Sequence, residues 1–153
     1  MMRLLAFAAA TLCVAAAAHP GSATRPVHRQ RALAEPGHTV WDSVYTDSQA
    51  TAAESTYKQS CASCHGDALQ GAQDGGPLTG GDFLTNWDGM TLADLHDKIR
   101  TTMPPDNPST ISPSQVADLV ALVLARNQFP AGTTALTADA ARLQDIKIVR
   151  SRP

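Results

Sequence analysis

Cys61-Ala62-Ser63-Cys64-His65 is the stretch on which the reading of this chain turns. Two thiols stand three positions apart, two small residues separate them, and an imidazole follows directly. Such thiols can each add to one vinyl group of a single porphyrin. The histidine after the second thiol is then held beneath the iron, where a ring nitrogen can bind it. C-x-x-C-H is accordingly the attachment pattern of a c-type haem. A redox-active cysteine pair would belong on a thioredoxin-like βαβ pattern, and this chain shows no run of alternating or β-branched strand character. A zinc site needs about four ligands, yet His19, His28, His38 and His96 are scattered and supply no second pair.

The start of the chain reads as a secretory signal. Met1-Met2-Arg3 is a short positive segment, and residues 4–18 form an uncharged run rich in Ala and Leu. Ala16-Ala17-Ala18 and Gly21-Ser22-Ala23 are both small-x-small cleavage sites. The apolar run falls short of the ~20 residues that a spanning helix needs. Cys13 follows Leu12 rather than a small residue, which argues against lipoprotein cleavage. Removal of 1–23 leaves two cysteines, and both lie in C-x-x-C-H. The expected location is therefore the periplasm.

Residues 24–38 hold Arg25, Arg29 and Arg31, two prolines and no apolar period, which reads as a flexible basic leader. Residues 39–147 suffice for one small domain, and 148–153 are expected as a tail. Over 39–147, six Lys and Arg face thirteen Asp and Glu, a formal charge of −7. That balance excludes nucleic acid as a partner and points to a protein with a positive docking rim. Large side chains are few there: Trp41, Tyr45, Tyr57, Phe83, Trp87 and Phe129 are the aromatics. A buried porphyrin would supply the apolar body that this composition lacks.

The periodicity is helical. Thr46-x-x-Gln49 reads as a capping box for a helix over 47–60, with Ala50, Ala52, Ala53 and Tyr57 at helical spacing. Glycines interrupt 66–90 often enough to predict loop throughout. Thr91 with Asp94 caps a second helix whose apolar face is Leu92, Leu95 and Ile99, and Met103-Pro104-Pro105 stops it. Ser112-Pro113-x-Gln115 opens a third helix with Val116, Leu119, Val120, Val123 and Leu124 as its stripe. Thr137 is the candidate cap of a last short helix carrying Leu143 and Ile146.

An iron bound by one imidazole has a second face to fill. A thioether there raises the potential and blocks added ligands, which suits electron transfer. Met103 lies 38 residues after His65, in an irregular segment pinned by Pro104, Pro105 and Pro108. Met90 and His96 are its rivals. Met90 sits one residue before a helix cap, and His96 falls off the apolar stripe of its helix. The bound imidazole also needs an acceptor for its other N–H. A backbone carbonyl of the Gly76-Pro77-Leu78 turn is the candidate.

Cys61-x-x-Cys64-His65, Gly76-Pro77-Leu78 and Met103-Pro104, in that order, resemble the class I cytochrome c family over about 47 to 127. The resemblance implies an all-α fold of three to five helices wrapped around one covalent haem c, with the N- and C-terminal helices crossing. It implies His65 as proximal ligand, the Pro77 carbonyl as its acceptor and Met103 as distal ligand. It also implies Tyr57 and Leu78 as pocket packing, joined by Leu119 and Val123. More narrowly, Trp41-Asp42-x-Val44-Tyr45, residues 101–108 and Phe129-Pro130-Ala131-Gly132 are similar to the haem domains of bacterial quinohaemoprotein alcohol dehydrogenases. No dehydrogenase domain accompanies them here, so a separate dehydrogenase is the expected donor.

The expectation is an electron carrier, not an enzyme. It would be a monomer or a subunit of a dehydrogenase complex, with redox proteins as partners and no transmembrane segment after cleavage. The competing reading is a haem enzyme or gas sensor with an open sixth site. That would need a distal acid or base where Met103 stands.

Overall fold

A computed structural model of the chain describes residues 38–72 and 74–153. The expected signal and residues 24–37 of the leader lie outside the described residues. The elements in order are β1 (His38–Thr39), α1 (Asp47–Ser60), α2 (Ala62–His65), α3 (Gly80–Trp87), α4 (Leu92–Thr102), α5 (Pro113–Arg126), α6 (Ala140–Gln144) and β2 (Ile146–Lys147). The domain is all-α as expected, with α2 and α6 each little more than a turn.

The frame is the crossing of α1 on α5. α1 buries Ala50, Ala53 and Tyr57. The two alanines let the backbones approach, while Ala52 turns to solvent. α5 starts with Pro113 at its first position, where the missing N–H costs nothing, and with a complete Ser112–Gln115 capping box. Its eight buried residues include Ala117, Ala121 and Leu122 beside the expected stripe, because neighbours cover it on several sides.

Only half of the capping box expected on α1 forms. The Thr46 hydroxyl accepts from the Gln49 N–H at 3.2 Å. The Gln49 side chain does not turn back. It donates to Asp118 Oδ1 at 2.9 Å and to the Leu136 carbonyl at 2.8 Å, and it accepts from the Leu136 N–H at 2.8 Å. Gln49 thus bolts α1 to α5 and to the segment after it. The Arg126–Glu54 ion pair at 3.0 Å joins the same helices. Both side chains are nearly half exposed, so it contributes at most about 1 kcal/mol.

Residues 66–90 are not loop throughout, because α3 occupies Gly80–Trp87. Its glycines fill only the first turn, where backbone N–H groups have no helical partner in any case. The Gly80 N–H finds Asn127 Oδ1 at 2.9 Å instead. Behind the glycines, Phe83 and Trp87 stand four apart with ring centroids at 6.1 Å, and Phe83 is buried. The apolar pair outweighs the breakers.

The C-terminal segment also differs from expectation. Asp139, not Thr137, caps α6, accepting from the N–H groups of Ala141 and Arg142. β1 and β2 pair in parallel, with His38 opposite Ile146 and Thr39 opposite Lys147. Two-residue strands are too short to show a period. The pairing draws His38 into the domain. Ile148, expected in the tail, is fully buried, and its N–H and C=O bond to the Met90 carbonyl and Gly89 N–H, each at 2.8 Å. The Trp41 indole N–H donates to the Val149 carbonyl at 3.1 Å, and Trp41 packs edge-on against Phe129 at 4.9 Å. Among the described residues, no helix is long and apolar enough to cross a membrane.

Candidate cofactor site

α1 hands the chain into the cysteine motif without a break. The Cys61 N–H closes on the Tyr57 carbonyl at 2.9 Å, and the His65 N–H closes on the Cys61 carbonyl at 2.9 Å. Helical spacing of three and four then sets Cys61, Cys64 and His65 on one face. Neither cysteine is in a disulfide. All three line a cavity of about 800 Å³. Burial pushes the Cys61 thiol up to about 11, with the nearby Cys64 adding to the effect, so it stays protonated near neutrality.

Met103 enters the same cavity from another element. It caps α4 with extended backbone, its N–H still bonded to the Ile99 carbonyl at 3.0 Å. Pro104 follows across a cis peptide bond. Leu95 and Ile99 from α4 and Leu119 and Val123 from α5 give the apolar walls, and Tyr57, Pro77 and Leu78 complete them. The structure therefore gathers Cys61, Cys64, His65, Tyr57, Pro77, Leu78 and Met103 at one place. The rivals of Met103 are elsewhere. Met90 is 39% exposed in the turn before α4. His96, expected to face solvent, is half-buried, and its Nε2 lies 3.0 Å from the Pro113 carbonyl, linking α4 to the start of α5. Neither borders the cavity.

The His65 ring is oriented by a backbone carbonyl, one residue earlier than expected. His65 Nδ1 lies 2.7 Å from the Gly76 oxygen, not that of Pro77. A carbonyl can only accept, so the proton sits on Nδ1 and Nε2 keeps its lone pair. The role of Pro77 is indirect, since a proline keeps the residue before it out of helical backbone. Gly75 is the other contributor that sequence reading missed. A β-carbon there would fall 2.6 Å from the Cys64 oxygen and 3.0 Å from His65 Nδ1. Only glycine lets this turn lie so close to the motif.

Two polar side chains hold the frame. The Tyr57 hydroxyl donates to the Gly66 carbonyl at 2.6 Å, closing α2 just past His65. Burial, then Cys61 and Asp67, push this phenol up to about 12. Asn127 was not foreseen. Its amide donates to the Leu78 carbonyl at 2.9 Å and to the Val123 carbonyl at 2.8 Å, while its oxygen accepts from Gly80. One residue thus fixes the end of α5, the Leu78 wall and the start of α3. The only signal for it was a polar residue directly after the apolar run of α5.

The donor set fits a haem. A flat apolar cofactor needs a largely apolar cavity in the ~300–1,000 Å³ range with a few convergent polar groups, and about 800 Å³ lies within it. Two thiols that can add to vinyl groups, and an imidazole with its outer nitrogen available and a thioether to offer the iron, are the groups that attach and ligate such an iron porphyrin.

Comparison with known proteins agrees. Residues 48–123 match the family described as cytochrome c oxidase, cbb3-type, subunit III. None of the curated proteins matches the chain in sequence. Among solved structures, a chain of the sulfane dehydrogenase SoxCD from Paracoccus pantotrophus superposes with a TM-score of 0.50 at 19% identity. The match covers 71% of this chain and 61% of that one. At that identity the likeness speaks for the fold alone. Residues 48–123 are thus similar to that family, and the helical frame, with the cysteine–histidine face and a thioether bordering one cavity, is a small all-α cytochrome c fold.

Proposed function

We propose that this chain is an exported carrier of single electrons, with one haem c attached through Cys61 and Cys64 and held by His65 and Met103. The observation that carries the reading is the single cavity bordered by Cys61, Cys64, His65 and Met103, with the His65 ring locked through Gly76. Haem supplies one-electron exchange at its iron.

The remaining tasks fall to the chain. Cys61 and Cys64 would hold the ring by thioether bonds, each formed by addition of S–H across a vinyl group with no atom lost. His65 offers the Nε2 lone pair, and the Nδ1–H bond to Gly76 strengthens it as a donor. Met103 offers sulfur from the α4 side. Ile99, Leu119 and Val123 exclude water. A thioether that held the group from the α4 side would leave no place for a substrate, which is the reason to read the chain as a carrier and not an enzyme.

Transfer needs an approach to the surface. Ser63, Asp74 and Asp106 border the cavity and are exposed. Two carboxylates at that edge, in a domain of net negative charge, favour a partner with a basic rim. The contact would be small and transient. The matched family and structure are described as an oxidase subunit and a dehydrogenase. We take a periplasmic dehydrogenase, such as one with a quinone cofactor, as the donor. Export rests on the signal-like residues 1–23.

The test is an optical spectrum of protein matured in an exporting bacterium, oxidised and reduced, beside haem-stained denaturing electrophoresis. Haem that survives denaturation, a sulfur-to-iron band in the oxidised form and no carbon monoxide binding when reduced are expected. Haem-free folded protein would overturn the proposal. Covalent haem that binds carbon monoxide without denaturation would move Met103 off the iron and favour an enzyme or sensor.

A further inference from the structure

The helix that delivers Met103 is gripped from outside the cavity. α4 runs for 11 residues from Leu92 to Thr102, so it spans roughly 16 Å, and Met103 caps its far end. One support is α5, which α4 packs against and which His96 reaches at the Pro113 carbonyl. The loop after Met103 leads to that same helix. It also bonds back to α4, where the Ser109 hydroxyl donates to the Arg100 carbonyl at 3.1 Å. The loop therefore rides with α4 and adds no support beyond α5.

The other support is built by the two ends of the domain. Ile148 is fully buried; its N–H donates to the Met90 carbonyl and its carbonyl accepts from the Gly89 N–H, each at 2.8 Å. Lys147 bridges antiparallel to Thr91, the buried cap of α4. On the opposite edge the Lys147 carbonyl accepts from the Val40 N–H at 3.0 Å, and the Val149 carbonyl accepts from the Trp41 indole at 3.1 Å. Residues 146–148 are thus a strand laid between 38–41 and 89–91. α6 reinforces it, burying Leu143 and packing on α4. Neither β2 nor α6 borders the cavity. Both lie outside residues 48–123, the stretch that matches the family.

A helix is stiff because each N–H closes on the carbonyl four residues back, so a hold on its start fixes where its end lies. A strand of two or three residues at the edge of a domain opens more readily than the core behind it. When it opens, α4 loses one of its two supports. We infer that Ile148 is a positioning residue for Met103: the strand that it centres holds the start of α4, and through α4 it keeps the sulfur in the cavity. This rests on the haem reading above.

The test compares Ile148→Ala, Ile148→Val, Leu136→Ala and wild type, all as holoproteins. Leu136 is the control, because it is buried in the same C-terminal region but is tied to Gln49 on α1. The readouts are amide hydrogen exchange over residues 95–103 and carbon monoxide binding to the reduced form, which requires the sulfur to leave. Truncating a buried isoleucine costs enough to raise such an opening about tenfold or more. Ile148→Ala should speed exchange over 95–103 by that factor and admit carbon monoxide, which wild type excludes. Ile148→Val should do both in smaller measure, and it carries the comparison if the alanine variant does not fold. Leu136→Ala should lower the denaturation midpoint and leave both readouts as in wild type. Equal effects of Ile148→Ala and Leu136→Ala would mean a general loss of stability and overturn the inference. Faster exchange with carbon monoxide still excluded overturns it too, since α4 would then loosen without releasing the sulfur. Reduced wild type that binds carbon monoxide, or that lacks covalent haem, would remove the haem reading itself, and the inference with it.

Discussion

The His65 Nδ1–H donates to the carbonyl of Gly76 at 2.7 Å, and the turn that carries Gly76 lies against the motif because residue 75 has no side chain. The two facts are one device. The acceptor orients the ring and leaves Nε2 as the free donor, and the bare glycine lets the acceptor come close. Gly75→Ala should push the 74–77 turn off Cys64 and His65 and break that bond. A clash of this kind typically costs about 1–3 kcal/mol. The expected result is a lower denaturation midpoint, a lower potential and covalent haem still in place. Unchanged values for both would show that the turn is free to move.

Met103 is the sulfur that the fold places in the cavity wall, whereas Met90 is exposed and outside it. Met103→Ala should keep haem attached through Cys61 and Cys64 but open one side of the iron. The potential should fall on the order of 0.1 V or more, inside the ~0.8 V range that axial ligation spans. Carbon monoxide should bind the reduced variant and not the wild type. Met90→Ala should change neither readout.

Tyr57 joins α1 to the end of the cysteine motif through its hydroxyl and the buried Gly66 carbonyl. Tyr57→Phe leaves that acceptor without its partner, at a cost of about 1–3 kcal/mol. The pH dependence follows from the raised pKa. Below the ordinary value of 10.0 both folded and unfolded phenols hold their proton, and the bond is fully present. Above it the unfolded phenol ionises first, so stability falls as pH rises and is lost through about 12. Denaturant titrations from neutral to strongly alkaline pH should show this fall in wild type and a smaller one in Tyr57→Phe. Parallel curves would exclude Tyr57 as the source.

Much of this was legible in the chain, for reasons that differ by residue. Ser112-Pro113-x-Gln115 announces α5 because a cap, a proline at the first position and a reciprocal glutamine are local signals that need no tertiary partner. Cys61-x-x-Cys64-His65 is legible because its spacing is set by the ligand geometry. α3 was hidden because its glycines sit in its first turn, and the Phe83–Trp87 pair that stabilises it is only one contact long. The acceptor was misassigned by one residue, since composition locates a Gly-Pro turn but not which of its carbonyls faces the ring. The ties made by Asn127, and the turn of Gln49 away from its expected cap, were invisible because their partners, Leu78 and Leu136, lie 49 and 87 residues away. Ile148 and the two-residue strands were missed because that pairing joins the two ends of the domain, and neither end carries a period.

The start of α4 offers a test of the frame that is independent of the cofactor. Asp94 accepts from the Thr91 N–H at 2.8 Å and from the Thr91 hydroxyl at 2.7 Å, and the Thr91 hydroxyl accepts from the Asp94 N–H at 3.2 Å. The backbone bond from Thr91, then its side-chain bond, holds the Asp94 carboxyl below the usual 3.8. The folded carboxyl is thus the stronger acid. Its contribution is fully present above 3.8 and is lost as pH falls through the lower folded value. Caps of this kind contribute about 1 kcal/mol. Asp94→Asn removes the charge and weakens the box while leaving a side-chain oxygen. Near neutral pH the variant should be less stable by up to about 1 kcal/mol. The gap to wild type should then close as pH falls, since protonation gives wild type the same neutral cap. A gap that persists at about pH 2 would assign the loss to packing at Thr91, which is buried, and not to the charge.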